Sequence, residues 1–250
     1  MKTDLHAQLR GQLIQLRLPH MAEHYGTVLD EIADAGGSTL QALVRLVADE
    51  ISAHEERSMA RRIMNAHLPK EKTLAEYDFV YPKRIAKQKL LRYFDCDFIS
   101  THANLVLVGT QGMGKTHLAI AMGYTACRLG ISTRYVRAID MLNNLTFAQQ
   151  QGTLDKALRQ YTRPALLLVD ELGYLPVDKR GADLLFQVVS ARYEAGSIVM
   201  TTNRPFKDWG TMLDVDPTLA SAMIDRLMHH GEAIVIEGRS YRVKDRNLGT

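Results

Sequence analysis

Cysteine is nearly absent from this chain: Cys96 and Cys127 stand far apart, with no CxxC spacing and no neighbouring histidine set. That excludes a disulfide framework and a structural zinc, and it suits a reduced, cytoplasmic setting. Long apolar runs are missing too. No stretch approaches the roughly 18 apolar residues of a membrane helix, and MKTDLHAQLRGQLIQLRLPH at the N-terminus lacks the apolar centre of a secretory signal. The expectation is a protein that is neither exported nor embedded in a membrane. Strong charge of one sign is also lacking, with 31 Lys and Arg against 28 Asp and Glu. The resulting +3 permits a nucleic-acid partner without demanding one. No internal repeat or low-complexity tract appears. What is present is 250 residues that are 46% apolar, enough for one large domain or for a small one attached to a larger one.

Residues 1 to 68 read as helices only. Leu5, Leu9, Ile14 and Leu16, then Met21, Tyr25, Val28, Leu29 and Ile32, recur at helical spacing until Gly36 and Gly37 break the pattern. Ser38 with Gln41 three residues on has the form of a capping box, and Leu40, Leu43, Val44, Val47 and Ile51 follow on one face. Pro69 ends that helix. The segment 69–82, PKEKTLAEYDFVYP, is polar and without clear period, and is expected to tether the helical unit to a larger domain over 83–250. The run PKRIAKQKLLRYF comes next, carrying Lys83, Arg84, Lys87, Lys89 and Arg92 with no acid among them. It is either a solvated helix face or a phosphate-contacting surface.

From Asn104 onward short apolar runs alternate with amphipathic helices. NLVLVG, STRYVRA, ALLLVDE, SIVMTTN and EAIVIEG are strand-like and nearly continuous in apolar character, as strands buried on both faces of a parallel sheet are. Helices are expected around 115–129, 139–161, 181–195 and 217–230. The pattern is βαβ alternation, and the expected class is α/β.

Directly after the first of these strands stands GTQGMGKT, residues 109–116, which matches G-x-x-x-x-G-K-[ST]. Gly109, Gly112 and Gly114 let the backbone turn so that successive N–H groups point inward at phosphate oxygens, and the helix starting near Lys115 adds its positive end. Lys115 supplies a point charge for the β and γ phosphates, and the Thr116 hydroxyl is placed to ligate Mg²⁺. Met113 and His117 complete the expected ATP-binding stretch, although His117 would pack within the helix behind the loop. Asp170 and Glu171 end the strand ALLLVDE, at the edge where ligands of α/β sheets bind. They would either cap the strand or act on the nucleotide, Asp170 completing the Mg²⁺ shell and Glu171 deprotonating the attacking water. Thr201, Thr202 and Asn203 end the next strand. They read as turn residues or, for Asn203, as an amide that holds the water in line.

A P-loop, an Asp-Glu strand end, an Asn strand end and an Arg on a later helix resemble the AAA+ ATPases. More closely, GTQGMGKTHLAIAMG, LLLVDELGYLP, LLFQVVSARYE, TTNRPFKDWG, DRLMHH and EGRSYR resemble the IstB-like helper ATPases of bacterial insertion sequences, relatives of the DnaC-type helicase loaders. The likeness covers about residues 60 to 245. It implies an ATPase that self-assembles on duplex DNA with ATP and Mg²⁺, deforms the duplex, and recruits a cognate transposase. It also implies AAA+ strand order, and it places Arg226 at a subunit edge as an arginine finger toward the neighbouring protomer's ATP. Many AAA+ proteins carry a helical lid with a second sensing arginine. After Gly231 this sequence has a strand and a basic tail, where Arg239 or Arg242 is a candidate for that role.

Other features are plainer. Trp209, with Phe206, is expected to anchor a loop on the core rather than stack on a base. His229 and His230 sit at adjacent helical positions without flanking ligands, so they suit the helix dipole better than a metal. Contacts to DNA are expected from Lys83, Arg84, Lys87, Lys89, Arg134 and Arg137 and to be dominated by backbone and shape. A helicase loader, a small-molecule P-loop kinase and a weakly hydrolysing scaffold remain alternatives at this level.

Overall fold

The computed structural model describes residues 4–238, 240 and 241. The chain divides into two compact units, Met1–Arg61 and Arg62–Thr250. In the first, α1 (Leu5–Gln15) is capped by Asp4, whose side chain accepts from the His6 amide, and α2 (Pro19–Asp34) begins on a proline that has no N–H to leave unpaired. The long α3 (Thr39–Ala66), most of which belongs to this unit, starts at the capping box, where the Ser38 amide donates to Gln41 Oε1 at 2.7 Å and the Gln41 amide to Ser38 Oγ at 3.3 Å. The stripe of α3 that packs inward is not the one its hydrophobicity suggests. Ala42, Leu46 and Glu50 are buried, whereas Leu40, Leu43, Val44, Val47 and Ile51 are exposed. Met21 at the start of α2 donates its amide to Glu50 at 2.8 Å, so a buried acid, paired with Arg57, fixes which face turns in.

In the second unit five strands form one parallel sheet. They are β1 (Leu105–Val108), β2 (Thr133–Arg137), β3 (Leu166–Leu172), β4 (Ser197–Thr202) and β5 (Glu232–Val235), ordered β2-β3-β4-β1-β5. All five expected strands are found. The expected helix over 139–161 is two, α6 (Ala138–Gln150) and α7 (Leu154–Thr162), because Gly152 takes a φ of 67° and turns the chain between them. The remaining α-helices among the described residues are α4 (Lys87–Arg92), α5 (Lys115–Arg128), α8 (Lys179–Arg192), α9 (Trp209–Met212) and α10 (Pro217–Met228). Among the described residues no helix is long and apolar enough to cross a membrane.

Strand alternation assigns each face of the sheet. Leu166, Leu168 and Val199 face α5, while Leu167, Val169, Ile198 and Met200 face α6, α8 and α10. Continuing the first alternation by one step puts Asp170 and Thr201 on the α5 side, at the carboxyl edge of the sheet. Two polar residues lock the frame. Asn104 donates to the Leu227 carbonyl and accepts from the Ile198 amide, tying the end of α10 to β4. Buried Arg192 donates to the carbonyls of Tyr161, Pro164, Ala165 and Ser197 at 2.8–2.9 Å, and burial pulls its pKa down to about 10.

Segment 69–82 lies along α5 instead of spanning open space. Leu74, Tyr77 and Phe79 pack on the core beneath the sheet, the Tyr124 hydroxyl donates to the Pro69 carbonyl, and Arg128 pairs with Glu71. Its apolar residues have no regular period because they seat a loop rather than a helix or strand.

Candidate nucleotide site

The loop after β1 is shaped by its glycines. Gly112 and Gly114 have φ values of 78° and 79°, in the left-handed region that side chains other than glycine disfavour, and a Cβ on Gly109 would meet the Ile236 carbonyl. Gly114 is the N-cap of α5, so the free N–H groups of the first helical turn open onto the same loop. Met113 is buried, and its carbonyl accepts from the Tyr77 hydroxyl at 3.0 Å. Burial, with the Asp78 charge adding, pushes Tyr77 to about 12, which keeps that hydroxyl a donor. The Lys115 ammonium is drawn over the loop and donates to the carbonyls of Gly109 (2.6 Å) and Thr110 (2.8 Å), with the Tyr174 ring 5.9 Å away. A cleft of about 430 Å³ lies here, lined by Tyr77, Tyr81, Gly112, Lys115, Thr116 and Tyr174 among others. A larger hollow of about 640 Å³ lies between Phe206 and α10, and its lining includes neither the loop nor the acids of β3. His117 also lines the cleft, and its Nε2 sits 2.8 Å from the Thr73 carbonyl, so the segment before the sheet forms one wall.

Three hydroxyls converge on Asp170, which is 1% exposed. Oδ1 accepts from Thr116 at 3.0 Å and from Thr201 at 2.5 Å, and Oδ2 accepts from Tyr135 at 2.8 Å. With its proton donated to Asp170, the Thr116 oxygen keeps lone pairs for a cation. Glu171 follows with a φ of 62°, and the pairing of β3 with β4 shifts register between Val169 and Leu172. A carboxylate in the left-handed region beside a register shift is strained backbone, and it aims Glu171 differently from the regular alternation. Asn203, just beyond β4, has an enclosed Oδ1 with no hydrogen-bond partner among the described residues. The glycine cradle, the hydroxyl-held acid and the partnerless amide oxygen together suit a triphosphate with a divalent cation. Nothing in its sequence context singles out Tyr135, because its side chain reaches Asp170 only once β2 pairs with β3.

Arg226 sits half-buried on α10. Its Nη1 donates to the Ala222 carbonyl at 3.1 Å, and its guanidinium lies 4.8 Å from the Phe186 ring centre. It is not among the residues lining the Lys115 cleft. Of the residues proposed to meet DNA, Lys83, Arg84, Lys87 and Lys89 are exposed on one stretch, although Lys89 pairs with Glu232 and Lys87 lies over the Phe79 ring. Arg137 pairs with Asp140, and Arg134 is half-buried with its Nε enclosed. Arg239 and Arg242 lie outside the described residues. Trp209 is fully buried, as a loop anchor should be, and donates to the Arg204 carbonyl. His229 and His230 do acquire a neighbouring acid, Glu194, brought from the end of α8, and all three side chains are exposed. Sequence adjacency hid this grouping, since Glu194 lies far back in the chain.

Comparison with known proteins bears directly on this geometry. The family model of the IstB-like ATP binding protein matches residues 11–249. This chain belongs to that family. It is 38% identical over 238 residues to an insertion sequence IS232 putative ATP-binding protein of Bacillus thuringiensis subsp. berliner, covering 95% of each chain. It is 34% identical to the corresponding IS21 protein of Pseudomonas aeruginosa, over 96% of this chain and 90% of that one. Among solved structures, AMPPCP-bound DnaA from Aquifex aeolicus matches with a TM-score of 0.57 at 24% identity, over 71% of this chain and 54% of that one. The DnaC helicase loader matches at 0.55 and 21% identity, over 66% and 96%. These likenesses show a fold shared with DnaA and the DnaC helicase loader, and the family is one of ATP binding.

Proposed function

We propose that this IstB-like protein is an ATPase that assembles on duplex DNA and serves transposition, deforming the target and recruiting the cognate transposase. The observation that carries the hydrolytic part is the convergence of Thr116, Thr201 and Tyr135 on Asp170, beside Lys115 and next to the strained Glu171. A site for binding alone needs the cradle and the lysine. Placing a second, separately aimed carboxylate beside the first adds a base.

In this reading the loop amides and the Lys115 ammonium hold the β and γ phosphates. Mg²⁺, held by Thr116 and Asp170, would neutralise phosphate charge. The Asn203 amide fixes a water, and Glu171 takes its proton as the water oxygen attacks the γ phosphorus and the bond to ADP breaks. Arg226 stabilises that charge in the site of a neighbouring copy. The match to insertion-sequence ATP-binding proteins over nearly the whole chain supports the transposition context. The exposed stripe Leu40, Leu43, Val44, Val47 and Ile51 supports a partner-binding or oligomerising role for the N-terminal helices, and Lys83, Arg84, Lys87 and Lys89 support backbone contacts to DNA.

The deciding experiment measures phosphate release by the full chain with and without duplex DNA, alongside Glu171→Gln and Lys115→Ala. Glu171→Gln should bind ATP, hold DNA and fail to release phosphate, and Lys115→Ala should lose ATP affinity. Wild-type turnover in Glu171→Gln would remove Glu171 as the base, and a wild-type chain that releases no phosphate with or without DNA would remove the ATPase assignment.

A further inference from the structure

We propose that Tyr135 is a positioning residue for Asp170, holding the carboxylate so that Oδ1 stays turned to Thr116; the inference rests on the ATPase reading above. Tyr135 lies on β2 opposite Leu168 in the β2–β3 register, two residues short of Asp170, and it packs against the α5 side of the sheet. Its side chain spans that offset along the strand and places the hydroxyl 2.8 Å from Oδ2. The other oxygen is held by Thr116 and Thr201, which come from α5 and β4. Three elements thus fix one carboxylate.

The terminal torsion of an aspartate is soft, and hydroxyl bonds to one oxygen alone leave the plane of the group free to turn. A donor on the second oxygen makes that rotation break a charge-assisted bond within a buried site. Asp170 is 1% exposed, so water cannot readily replace the lost donor. A phenolic hydroxyl is protonated at neutral pH and an ionised carboxylate only accepts, so Tyr135 serves Asp170 as a donor. A phenylalanine here would fill the same space on the core and leave Oδ2 unpaired, which makes Tyr135→Phe a test of the hydroxyl alone.

The measurement is Mn²⁺ association with the ATP complex of the full chain, followed by electron paramagnetic resonance, together with binding of a fluorescent ATP analogue in EDTA. Wild type, Tyr135→Phe, Asp170→Asn and the double variant are compared. Tyr135→Phe should raise the half-saturating Mn²⁺ by about tenfold, the scale of a bond to a charged group, and leave analogue affinity in EDTA within about twofold of wild type. In the Asp170→Asn background the same change should have no further effect, because the residue acts through that carboxylate. A Mn²⁺ response unaltered by Tyr135→Phe while Asp170→Asn weakens it overturns the inference and leaves the ATPase reading intact. So does an equal shift in both backgrounds, which would mark Tyr135 as packing only. If Asp170→Asn itself leaves Mn²⁺ association unchanged, the metal-side assignment of Asp170 falls and the inference falls with it.

Discussion

The Thr201 hydroxyl lies 2.5 Å from Asp170 Oδ1 and 2.9 Å from the Glu171 amide nitrogen, so a single side chain donates to the first acid and accepts from the second. That pairing helps offset the roughly 1–2 kcal/mol that a left-handed non-glycine residue costs, and so helps keep Glu171 out of strand geometry. Thr201→Val keeps the shape and removes both bonds. It should lower unfolding free energy by about 1–3 kcal/mol in urea titrations and cut phosphate release at least tenfold, roughly the scale of one charge-assisted bond. Thr201→Ser should retain most of the activity. A valine variant that hydrolyses ATP at the wild-type rate would show that the bridge between the acids is structural only.

Asn203 leads to an opposite pairing of effects. Its enclosed Oδ1 lacks a partner among the described residues, and such an atom costs stability in a folded chain. Asn203→Ala should therefore leave the melting temperature unchanged or slightly raised while turnover falls by about 10²–10³, the range for losing one aligned polar group around a reacting phosphate. Calorimetry and phosphate release on the same preparation check both halves. Loss of stability together with loss of activity would indicate that Asn203 is holding the loop rather than a water.

Much of this arrangement was readable in the sequence wherever a local rule dictates structure. The β-branched runs gave all five strands, GTQGMGKT placed the phosphate loop, and the Ser38 and Gln41 pair formed both of its reciprocal bonds. Residues whose meaning depends on a distant partner were harder to read. Thr201 reads as a strand terminator because Asp170 lies 31 positions away, and nothing beside Tyr135 in STRYVRA points to an acid 35 positions on. The apolar face of α3 was legible, but its outward orientation was not, since that depends on Glu50 receiving the amide of Met21. Polar and apolar residues at 69–82 follow no period, so nothing local announced that Tyr77 closes over the phosphate loop.

Glu50 carries a pH dependence with a definite sign. Burial acts to raise its pKa, yet the Met21 and His20 amides and the Arg57 guanidinium hold it below the ordinary 4.5. A carboxyl depressed by folding contributes stability that is fully present above its unfolded value and is lost as pH falls through the folded one. The α2–α3 packing should thus hold from neutral pH down to about 4.5 and weaken below it. Glu50→Gln should remove that acid dependence and speed exchange of the Met21 amide at neutral pH. Hydrogen exchange on α2 peptides is the suitable probe, because Trp209, the lone tryptophan, belongs to the other unit.

Arg226 tests whether one chain is the working unit. Its guanidinium is held on the Phe186 ring and the Ala222 carbonyl, makes no ion pair among the described residues, and does not line the cleft of its own Lys115. Asn104 fixes the end of its helix against the sheet, so the side chain projects from a rigid support. If it serves a neighbouring copy, Arg226→Ala should bind ATP normally and lose about 10³-fold or more in turnover, the scale of an arginine finger. Arg226→Lys should fail to rescue, since a point charge cannot replace the planar fork. Mixing Arg226→Ala with Lys115→Ala should restore part of the activity, because an intact nucleotide site on one subunit would then face an intact arginine on the other. Turnover that is independent of protein concentration in the wild type, with no recovery on mixing, would place Arg226 in its own subunit's fold and make the single chain sufficient.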